Sequence, residues 1–144
     1  MKYCYIFDID GTLADCQHRL HHIEKTPKDW EAFFAACRDD APIVHMIRLA
    51  QSLTDQHIVF VSGRSDIVRQ ETIEWLATHG VPDGPLYMRK AGDHKDDSIL
   101  KIELLAQVRA DGYEPMMVFD DRARVVKAWR DAGVPCAQVA DGDF

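Results

Sequence analysis

Residues 3–15 read YCYIFDIDGTLAD, a short apolar run that ends in two aspartates separated by one residue. The apolar part, from Tyr3 to Phe7, predicts a strand that is buried on both faces. Because alternate residues of a strand point to the same side, Asp8 and Asp10 project together. Two carboxylates this close repel each other unless a cation or a shared proton lies between them, and burying them without a partner is costly. The stretch therefore predicts a metal site or an acid/base pair at the end of the first strand.

The size and charge of the chain limit what it can be. Its 144 residues (16.4 kDa) are typical of one domain, and the net charge of -7 argues against a broad basic surface for indiscriminate nucleic-acid binding. The four cysteines form no C-x-x-C pair, and the apolar segments around Cys4 and Cys136 predict buried free thiols. No secretory or membrane-spanning segment is recognisable, so we expect an intracellular, cytoplasmic protein with no membrane partner.

Strand-like and helix-like segments alternate along the chain. The predicted strands are Tyr3–Phe7, His57–Val61, Leu86–Met88, Met116–Phe119 and Cys136–Val139. Predicted helices begin at Thr26-Pro27, at Pro42, at Ser65 or Asp66, at Asp96 and at Arg122, and the last three end near Gly80, Gly112 and Gly133. This alternation predicts an α/β fold: a Rossmann-like three-layer sandwich with a mostly parallel five-stranded sheet.

Polar clusters follow the ends of the first four predicted strands. They read DIDGT, SGR, RKAGDHKDD and DDR. The carboxyl ends of parallel strands meet at one edge of a sheet, where functional groups collect. That edge would carry Asp8, Asp10, Asp120 and Asp121, with Ser62, Arg64, Lys95 and Lys101 nearby. Carboxylates without histidine or cysteine form a hard oxygen site that suits Mg²⁺, and the cations and the hydroxyl suit a phosphoryl group.

The chemistry at this edge points to phosphate removal. No G-x-x-x-x-G-K-[ST] loop for a nucleoside triphosphate is present. An aspartate can take a phosphoryl group as nucleophile and form an aspartyl-phosphate. A carboxylate two residues later could then protonate the leaving alkoxide and deprotonate the attacking water, provided that it holds a proton at working pH.

These motifs resemble the haloacid-dehalogenase-like (HAD) phosphatases. FDIDGT is similar to their first motif, which implies that Asp8 is the nucleophile and Asp10 the general acid/base. Ser62 and the Asp120-Asp121 pair stand where the second and fourth motifs of the family stand. The chain resembles, over nearly its whole length, the phosphatase domain of phage polynucleotide kinase–phosphatase; the matching stretches are FDIDGTLAD, VFVSGRSD, LYMRKAGDHKDDSILK and FDDRARVVKAWRDAGVPCAQVADGDF. The resemblance implies Mg²⁺-dependent hydrolysis of 3'-phosphates of nucleic acids and nucleotides.

The resemblance also assigns the remaining site residues. It implies that Lys101 faces the phosphate, and that Asp8, Asp121 and the backbone carbonyl of Asp10 bind the metal, with Asp120 behind them. It further implies a substrate-binding group, which we take to comprise Arg19, Gly63, Arg64, Arg89, Lys95 and Asp97. In one departure, Lys95 stands where the family has arginine, so a point charge replaces a bidentate fork. The kinase half is also absent, so a separate kinase or ligase chain is a possible partner.

Several features admit a second interpretation. His18 and His22 could bind zinc if they shared a helix face, although no third ligand stands nearby, and solvated or substrate-proximal histidines are the alternative. Trp30, Phe33 and Phe34 could stack on a base or simply pack in the core. Asp97 and Lys101 are spaced as a surface ion pair, which leaves Lys95 open as the phosphate-facing lysine.

We expect a single domain over residues 1–144, with a small helical insert at about 14–42 and little or no cap. A site so open could admit the end of a polymer, so the first hypothesis is removal of 3'-phosphate from polynucleotide ends or nucleoside 3'-phosphates. A phosphatase of free nucleotides or other small esters is the alternative, favoured slightly by the acidic charge. A non-catalytic docking module is a third hypothesis, and oligomers remain open.

Overall fold

The computed structural model describes all of residues 1–144. Its strands are β1 (Lys2–Phe7), β2 (Ala14–Asp15), β3 (Ala41–Pro42), β4 (His57–Ser65), β5 (Leu86–Arg89), β6 (Tyr113–Asp120) and β7 (Cys136–Gln138). Its α-helices are α1 (His21–Glu24), α2 (Trp30–Ala35), α3 (Val44–Ser52), α4 (Arg69–Thr78), α5 (Asp97–Ala110) and α6 (Ala123–Asp131). Three 3₁₀ turns lie at Gln17–Arg19, Ala36–Asp39 and Asp66–Val68. None of the helices combines the length and the apolar character needed to cross a membrane.

The five long-range strands form one sheet in the order β5-β4-β1-β6-β7, and every neighbouring pair in it is parallel. The predicted α/β fold is confirmed. Phe7, at the end of β1, lies opposite Phe60 of β4 and Phe119 of β6. The strand that carries Asp8 is therefore central, and its flanking strands end beside it. This register brings distant parts of the chain to one edge of the sheet.

Both faces of the sheet are covered, because successive residues of a strand point to opposite sides. Phe7 and Phe60 pack on one face against Trp75 of α4, together with residues of α3. Ile6 packs on the other face against Trp129 of α6 and residues of α5. Each large apolar side chain buried in this way contributes about 1.5–3 kcal/mol to folding. Two cores on the two faces of one sheet make the three-layer arrangement.

Two predicted helix starts were wrong, both in the segment between β1 and α3. The helix predicted from Thr26-Pro27 begins at Trp30, because the carboxylate of Asp29 accepts a hydrogen bond from the N–H of Ala32 (3.0 Å) and caps the helix there. The helix predicted from Pro42 begins at Val44, since Pro42 pairs with Ala14 in the short antiparallel ladder of β2 and β3. The side-chain cap of Asp29 and the backbone pairing of β3 with β2 decide these boundaries.

Candidate active site

Three buried carboxylates form a cluster at the edge of the sheet. Asp8 follows β1, while Asp120 ends β6 and Asp121 comes directly after it. One carboxylate oxygen from each of the three lies within 4.8 Å of the others. They are the one group of three or more histidine, cysteine or acidic side chains with the spacing of metal ligands. The convergence of Asp8 with Asp121, on which the predicted metal site depends, is present.

Lys101 of α5 lies inside this cluster. Its side chain is buried, and its Nζ donates to Asp8 Oδ1 at 2.6 Å and to Asp120 Oδ2 at 2.9 Å. Thr12 donates its hydroxyl to the other oxygen of Asp8 at 3.0 Å. Three carboxylates and one ammonium leave two negative charges without a partner in a buried site. An all-oxygen site with that charge fits a divalent cation such as Mg²⁺.

The two aspartates at the end of β6 differ in how their oxygens are used. Asp120 accepts hydrogen bonds at both oxygens: Oδ2 from Lys101 and from Trp129 Nε1 (3.3 Å), and Oδ1 from the N–H of Arg122 (3.3 Å). Its oxygens are therefore used to hold Lys101 and the neighbouring groups in position. The carboxylate of Asp121 lies directly over Gly11, on the side of the DIDGT loop. Of the two, Asp121 has the geometry expected of the metal ligand.

Gly11 makes this approach possible. Its φ of +84° lies in the left-handed region, and a Cβ added there would come within 2.1 Å of Asp121 Oδ2. A side chain at residue 11 would thus occupy the place of the carboxylate. The glycine of the D-x-D-G motif is required by both the turn and the close approach.

The charges of the cluster shift the pKa values of its members. Burial, followed by repulsion from Asp120, raises the pKa of Asp8 well above its usual value, even though Lys101 opposes the shift. Burial also raises the pKa of Asp121. The pKa of Lys101 is raised as well, because the nearby carboxylates outweigh the effect of burial, which acts in the other direction. Burial and mutual repulsion therefore oppose ionisation of Asp8 and Asp121, and a bound cation would favour it.

Asp10 is held by two arginines through a single oxygen. Its Oδ1 accepts from Arg19 Nη2 (2.6 Å) and from Arg64 Nε and Nη2 (3.0 and 2.7 Å). Its Oδ2 has no hydrogen-bond partner, and the side chain is 25% exposed. Burial would raise the pKa of Asp10, but Arg64 and Arg19 together outweigh it and hold that pKa below its usual value. The two arginines therefore favour the ionised form of Asp10, whereas the role of general acid requires a proton on it.

Arg19 and Arg64 point to carboxylates inside the protein. Both side chains are fully buried, and every guanidinium nitrogen donates to a protein oxygen. Besides Asp10, they share the buried carboxylate of Asp40, which accepts from Arg19 Nε at 2.8 Å and from Arg64 Nη2 at 2.9 Å. Four of the five N–H groups of each guanidinium donate to these protein oxygens. The substrate-binding role expected of these arginines stays a prediction, and the contacts that the structure shows are with Asp10 and Asp40.

Asp40 was missed in the sequence, as was Thr72, whose hydroxyl accepts from Arg64 Nη1 at 3.0 Å. Asp40 stands 30 positions after Asp10 in an unremarkable Asp-Asp pair before β3. No local pattern distinguishes it from a surface acid. Only the fold brings it beneath Arg19 and Arg64.

A second wall of the site is formed at the carboxyl end of β4. The buried hydroxyl of Ser62 accepts from the N–H of Arg64 at 3.1 Å. Arg89 donates from Nε to the carbonyl of Gly63 (2.9 Å) and from Nη2 to Asp97 Oδ1 (3.3 Å). A Cβ on Gly63 would come within 2.2 Å of that same Asp97 oxygen. Arg89 and Asp97 therefore brace the loop after Ser62.

The remaining candidates lie apart from the cluster. Lys95 donates to Glu103 Oε2 at 2.6 Å and is about a third exposed, so Lys101 is the lysine that the structure brings to Asp8. His18 lies in a 3₁₀ turn with its Nε2 2.6 Å from Asp40 Oδ1, whereas His22 lies in α1. They do not form the shared helix face that a zinc site would need. Phe33 is buried, as expected for core packing, whereas Trp30 is exposed, as stacking on a base would require.

Comparison with known proteins agrees with this geometry. The family model of the polynucleotide kinase PNKP phosphatase domain matches residues 2–144. A protein of Autographa californica nuclear polyhedrosis virus, described as a bifunctional polynucleotide kinase/RNA ligase, is 30% identical over 129 residues, which are 89% of this chain and 18% of that protein.

Solved structures give the same result. A chain of the Pnkp1/Rnl/Hen1 RNA repair complex superposes with a TM-score of 0.83 at 26% identity, over 100% of this chain and 44% of that one. A HAD-like hydrolase of Streptococcus pneumoniae shares the fold, with a TM-score of 0.68 at 15% identity over 96% of this chain and 84% of that one. The chain thus spans less than half of the viral relative and of the repair-complex chain. It belongs to the polynucleotide kinase PNKP phosphatase domain family, within the HAD-like hydrolases.

Proposed function

We propose that this chain is a Mg²⁺-dependent phosphomonoesterase that removes the 3'-phosphate from polynucleotide ends or from nucleoside 3'-phosphates. Its family supports the phosphatase reaction and the polynucleotide substrate. The observation that carries the proposal is the buried Asp8–Lys101 pair, with Asp121 on one side and Asp10 presenting a free oxygen on the other.

The metal would be held by Asp8, Asp121 and the backbone carbonyl of Asp10, with Asp120 behind them. When bound, Mg²⁺ supplies positive charge that keeps Asp8 ionised and offsets its repulsion of the anionic ester. Lys101 supplies one further positive charge at Asp8, and both this lysine and the Ser62 hydroxyl suit the oxygens of the phosphoryl group.

In the first step, an oxygen of Asp8 attacks phosphorus and the bond to the 3'-oxygen breaks. The leaving oxygen takes a proton from Asp10, and an aspartyl-phosphate remains on residue 8. Asp10 is ionised in the resting site, so it must gain this proton with the substrate. The negative ester beside the free Oδ2 raises the pKa of Asp10 as it binds, because like charges oppose ionisation.

In the second step, water attacks the phosphorus of the aspartyl-phosphate and gives a proton to Asp10. The bond to Asp8 breaks and inorganic phosphate leaves. Asp10 then releases to solvent the proton that it took from water, so both aspartates return to their starting states. Arg19 and Arg64 keep Asp10 in one position through both steps, since they hold Oδ1 and leave Oδ2 free. Arg89 and Asp97 hold the Ser62–Gly63 loop in place, and Lys95, about a third exposed, is available to longer substrates.

We further propose that the chain is one domain that works beside a kinase or ligase activity, on a separate chain or on another part of a longer protein. The repair-complex chain and the viral kinase/ligase, of which it spans 44% and 18%, support this. A pull-down of purified kinase or ligase chains from the same source would test it.

A substrate panel tests the reaction. Phosphate release with Mg²⁺ is measured on a 3'-phosphorylated oligonucleotide, its 5'-phosphorylated isomer, nucleoside 3'- and 5'-phosphates, and a sugar phosphate. We expect the 3'-phosphorylated substrates to have the highest kcat/KM and EDTA to abolish release. A preference for sugar phosphates or 5'-nucleotides would instead support a phosphatase of small esters, and no release from any ester would support a docking module.

A further inference from the structure

Trp30 is an exposed tryptophan in a chain that buries its other two. Its exposure is 44%, against 3% for Trp75 and 0% for Trp129. It lies in an open groove of about 470 Å³, lined by Lys25, Pro27, Lys28, Asp29, Trp30 and Glu31. That volume is within the range of small-ligand sites, about 300–1,000 Å³. The function derived above makes no use of this groove.

A series of side-chain contacts connects the groove to the groups that hold Asp10. Trp30 contacts Phe33 edge to face, with ring centroids 5.7 Å apart, and both belong to α2. The ring of Phe33 lies 4.4 Å from the guanidinium carbon of Arg19, and its carbonyl accepts from Arg19 Nη1 at 3.3 Å. Arg19 in turn holds Asp10. One buried phenylalanine therefore separates the exposed indole from the arginine that holds the acid/base.

The chemistry of the groove suits a base more than a phosphate. Lys28 Nζ lies 5.7 Å from the centroid of the Trp30 ring, and Lys25 lines the same groove, but Glu31 and Asp29 balance their charges. The Asp29 carboxylate is also engaged as the cap of α2. With a balanced groove on a chain of net charge -7, attraction by charge alone is weak. Stacking on an indole needs no net charge and accepts every base.

We infer that Trp30 is a stacking platform for a base of the nucleic acid whose 3'-phosphate is bound at Asp8, with Lys25 and Lys28 beside the sugar–phosphate backbone. The inference rests on the proposed polynucleotide substrate and deepens it. It makes the segment around α2 a substrate-binding element that favours nucleic acid over small phosphate esters.

Steady-state kinetics test the platform with Trp30→Ala, Trp30→Phe and a matched control, Tyr3→Ala, which removes an exposed aromatic ring from the start of β1, at the far end of the strand from Asp8. Two substrates are compared: a 3'-phosphorylated oligonucleotide, and the same oligomer with abasic sites in place of its terminal bases. Loss of stacking should lower the kcat/KM ratio of the base-bearing to the abasic substrate about tenfold in Trp30→Ala. Trp30→Phe should recover most of that ratio, and Tyr3→Ala should not change it.

An equal loss on both substrates would overturn the inference, because it would show that Trp30 acts only through Phe33 and Arg19. Unchanged kcat/KM values on both substrates would overturn it as well.

A binding measurement separates this inference from the proposed reaction. In an Asp8→Asn background, a 3'-phosphorylated oligonucleotide should quench the fluorescence of the exposed Trp30 and protect it from iodide, and Trp30→Ala should weaken binding about tenfold. If wild-type protein releases no phosphate yet this quenching occurs, the reaction fails and the platform stands. Phosphate release without quenching or protection from iodide would leave the reaction intact and refute the platform.

Discussion

Asp8 and Lys101 stand 93 positions apart in the chain, yet their side chains meet at 2.6 Å in a buried site. At the scale of single residues, this contact fixes the position of Asp8, the proposed nucleophile, and affects its ionisation. Burial and two neighbouring carboxylates oppose ionisation of Asp8, whereas Lys101 favours it. Any divalent cation that binds to the cluster would favour the ionised form of Asp8, so metal binding and the ionisation of Asp8 are coupled.

The first prediction concerns Asp8→Asn. An amide cannot attack phosphorus, so phosphate release should fall at least about a thousandfold. Without Mg²⁺, the free energy of unfolding should not fall, because the amide removes one of two unpaired negative charges and still accepts a hydrogen bond from Lys101. Phosphate-release assays and urea denaturation measure the two effects, with exposed Asp83→Asn as the control. Retained activity would reject Asp8 as nucleophile.

The second prediction concerns Arg64→Lys. Lysine replaces a fork of donors with a point charge, so Asp10 is held less firmly and kcat should fall about 10- to 100-fold. Arg64 favours the ionised form of Asp10, so weakening this contact raises the pKa of Asp10. Because Asp10 must be ionised to act as base, the acid limb of the pH–rate profile should move to higher pH. Exposed Arg69→Lys on α4 is the control, and a limb that does not move would contradict the role given to Arg64.

The same pKa shift affects stability, with a definite sign. A carboxylate whose pKa is lowered in the folded state stabilises that state above its unfolded pKa, near 3.8, and the contribution is lost as pH falls further. Arg64→Lys should therefore destabilise the protein more at neutral pH than at pH 3. Urea denaturation at the two pH values measures the difference.

At the scale of elements, the geometry of the site depends on the close packing at the ends of β1 and β4. The β1 turn must bring Gly11 against Asp121, and the end of β4 must bring Gly63 against Asp97. In both places a carboxylate fills the space that a Cβ would need. The glycines of D-x-D-G and S-G-R are thus packing requirements of the site, and Gly11 is also a turn residue.

The third prediction uses two glycines with the same backbone strain. Gly11→Ala and Gly92→Ala both place a side chain at a positive φ (+84° and +85°), which costs about 1 kcal/mol or more. A Cβ meets Asp121 at residue 11 but nothing within 4 Å at residue 92. Backbone strain should lower the free energy of unfolding by a similar amount in both variants. Only Gly11→Ala should also lose Mg²⁺ affinity and activity. Calorimetric Mg²⁺ titration and phosphate release measure the difference, and equal Mg²⁺ affinity in the two variants would contradict the packing argument.

At the scale of the whole molecule, burial within the fold also lowers the reactivity of its thiols. All four cysteines are free, and burial is the first cause that raises the pKa of each: to about 11 for Cys4 and to about 12 for Cys16 and Cys136, with Cys37 also raised. Thiolate is the reactive form, so very little is present at pH 8. The native protein therefore protects its cysteines from chemistry.

The fourth prediction follows from this protection. At pH 8, a chromogenic disulfide reagent should react slowly with the native protein and promptly with four thiols after unfolding in guanidinium. The ratio of the two rates reports the integrity of the fold, so it serves as a folding control for every variant above. Prompt reaction of a native thiol would show that its surroundings open in solution.

The sequence by itself determined the α/β class, the positions of the sheet strands, and Asp8, Asp10 and the Asp120–Asp121 pair as residues of one edge. These follow from local periodicity, and from the rule that parallel strands end together. Through resemblance it also indicated Lys101 as the phosphate-facing lysine, but it left Lys95 as an alternative. It misplaced two helix starts, where capping by Asp29 and pairing of Pro42 outweighed the prolines.

Only the tertiary structure decided how the side chains are used. The burial of Arg19 and Arg64 against Asp40, the choice of Lys101, and the exposure of Trp30 each depend on contacts between residues far apart in sequence. Local pattern carries no information about such contacts. A buried arginine and a solvated one look the same in a sequence, because the partner that neutralises the buried arginine is supplied by another part of the fold.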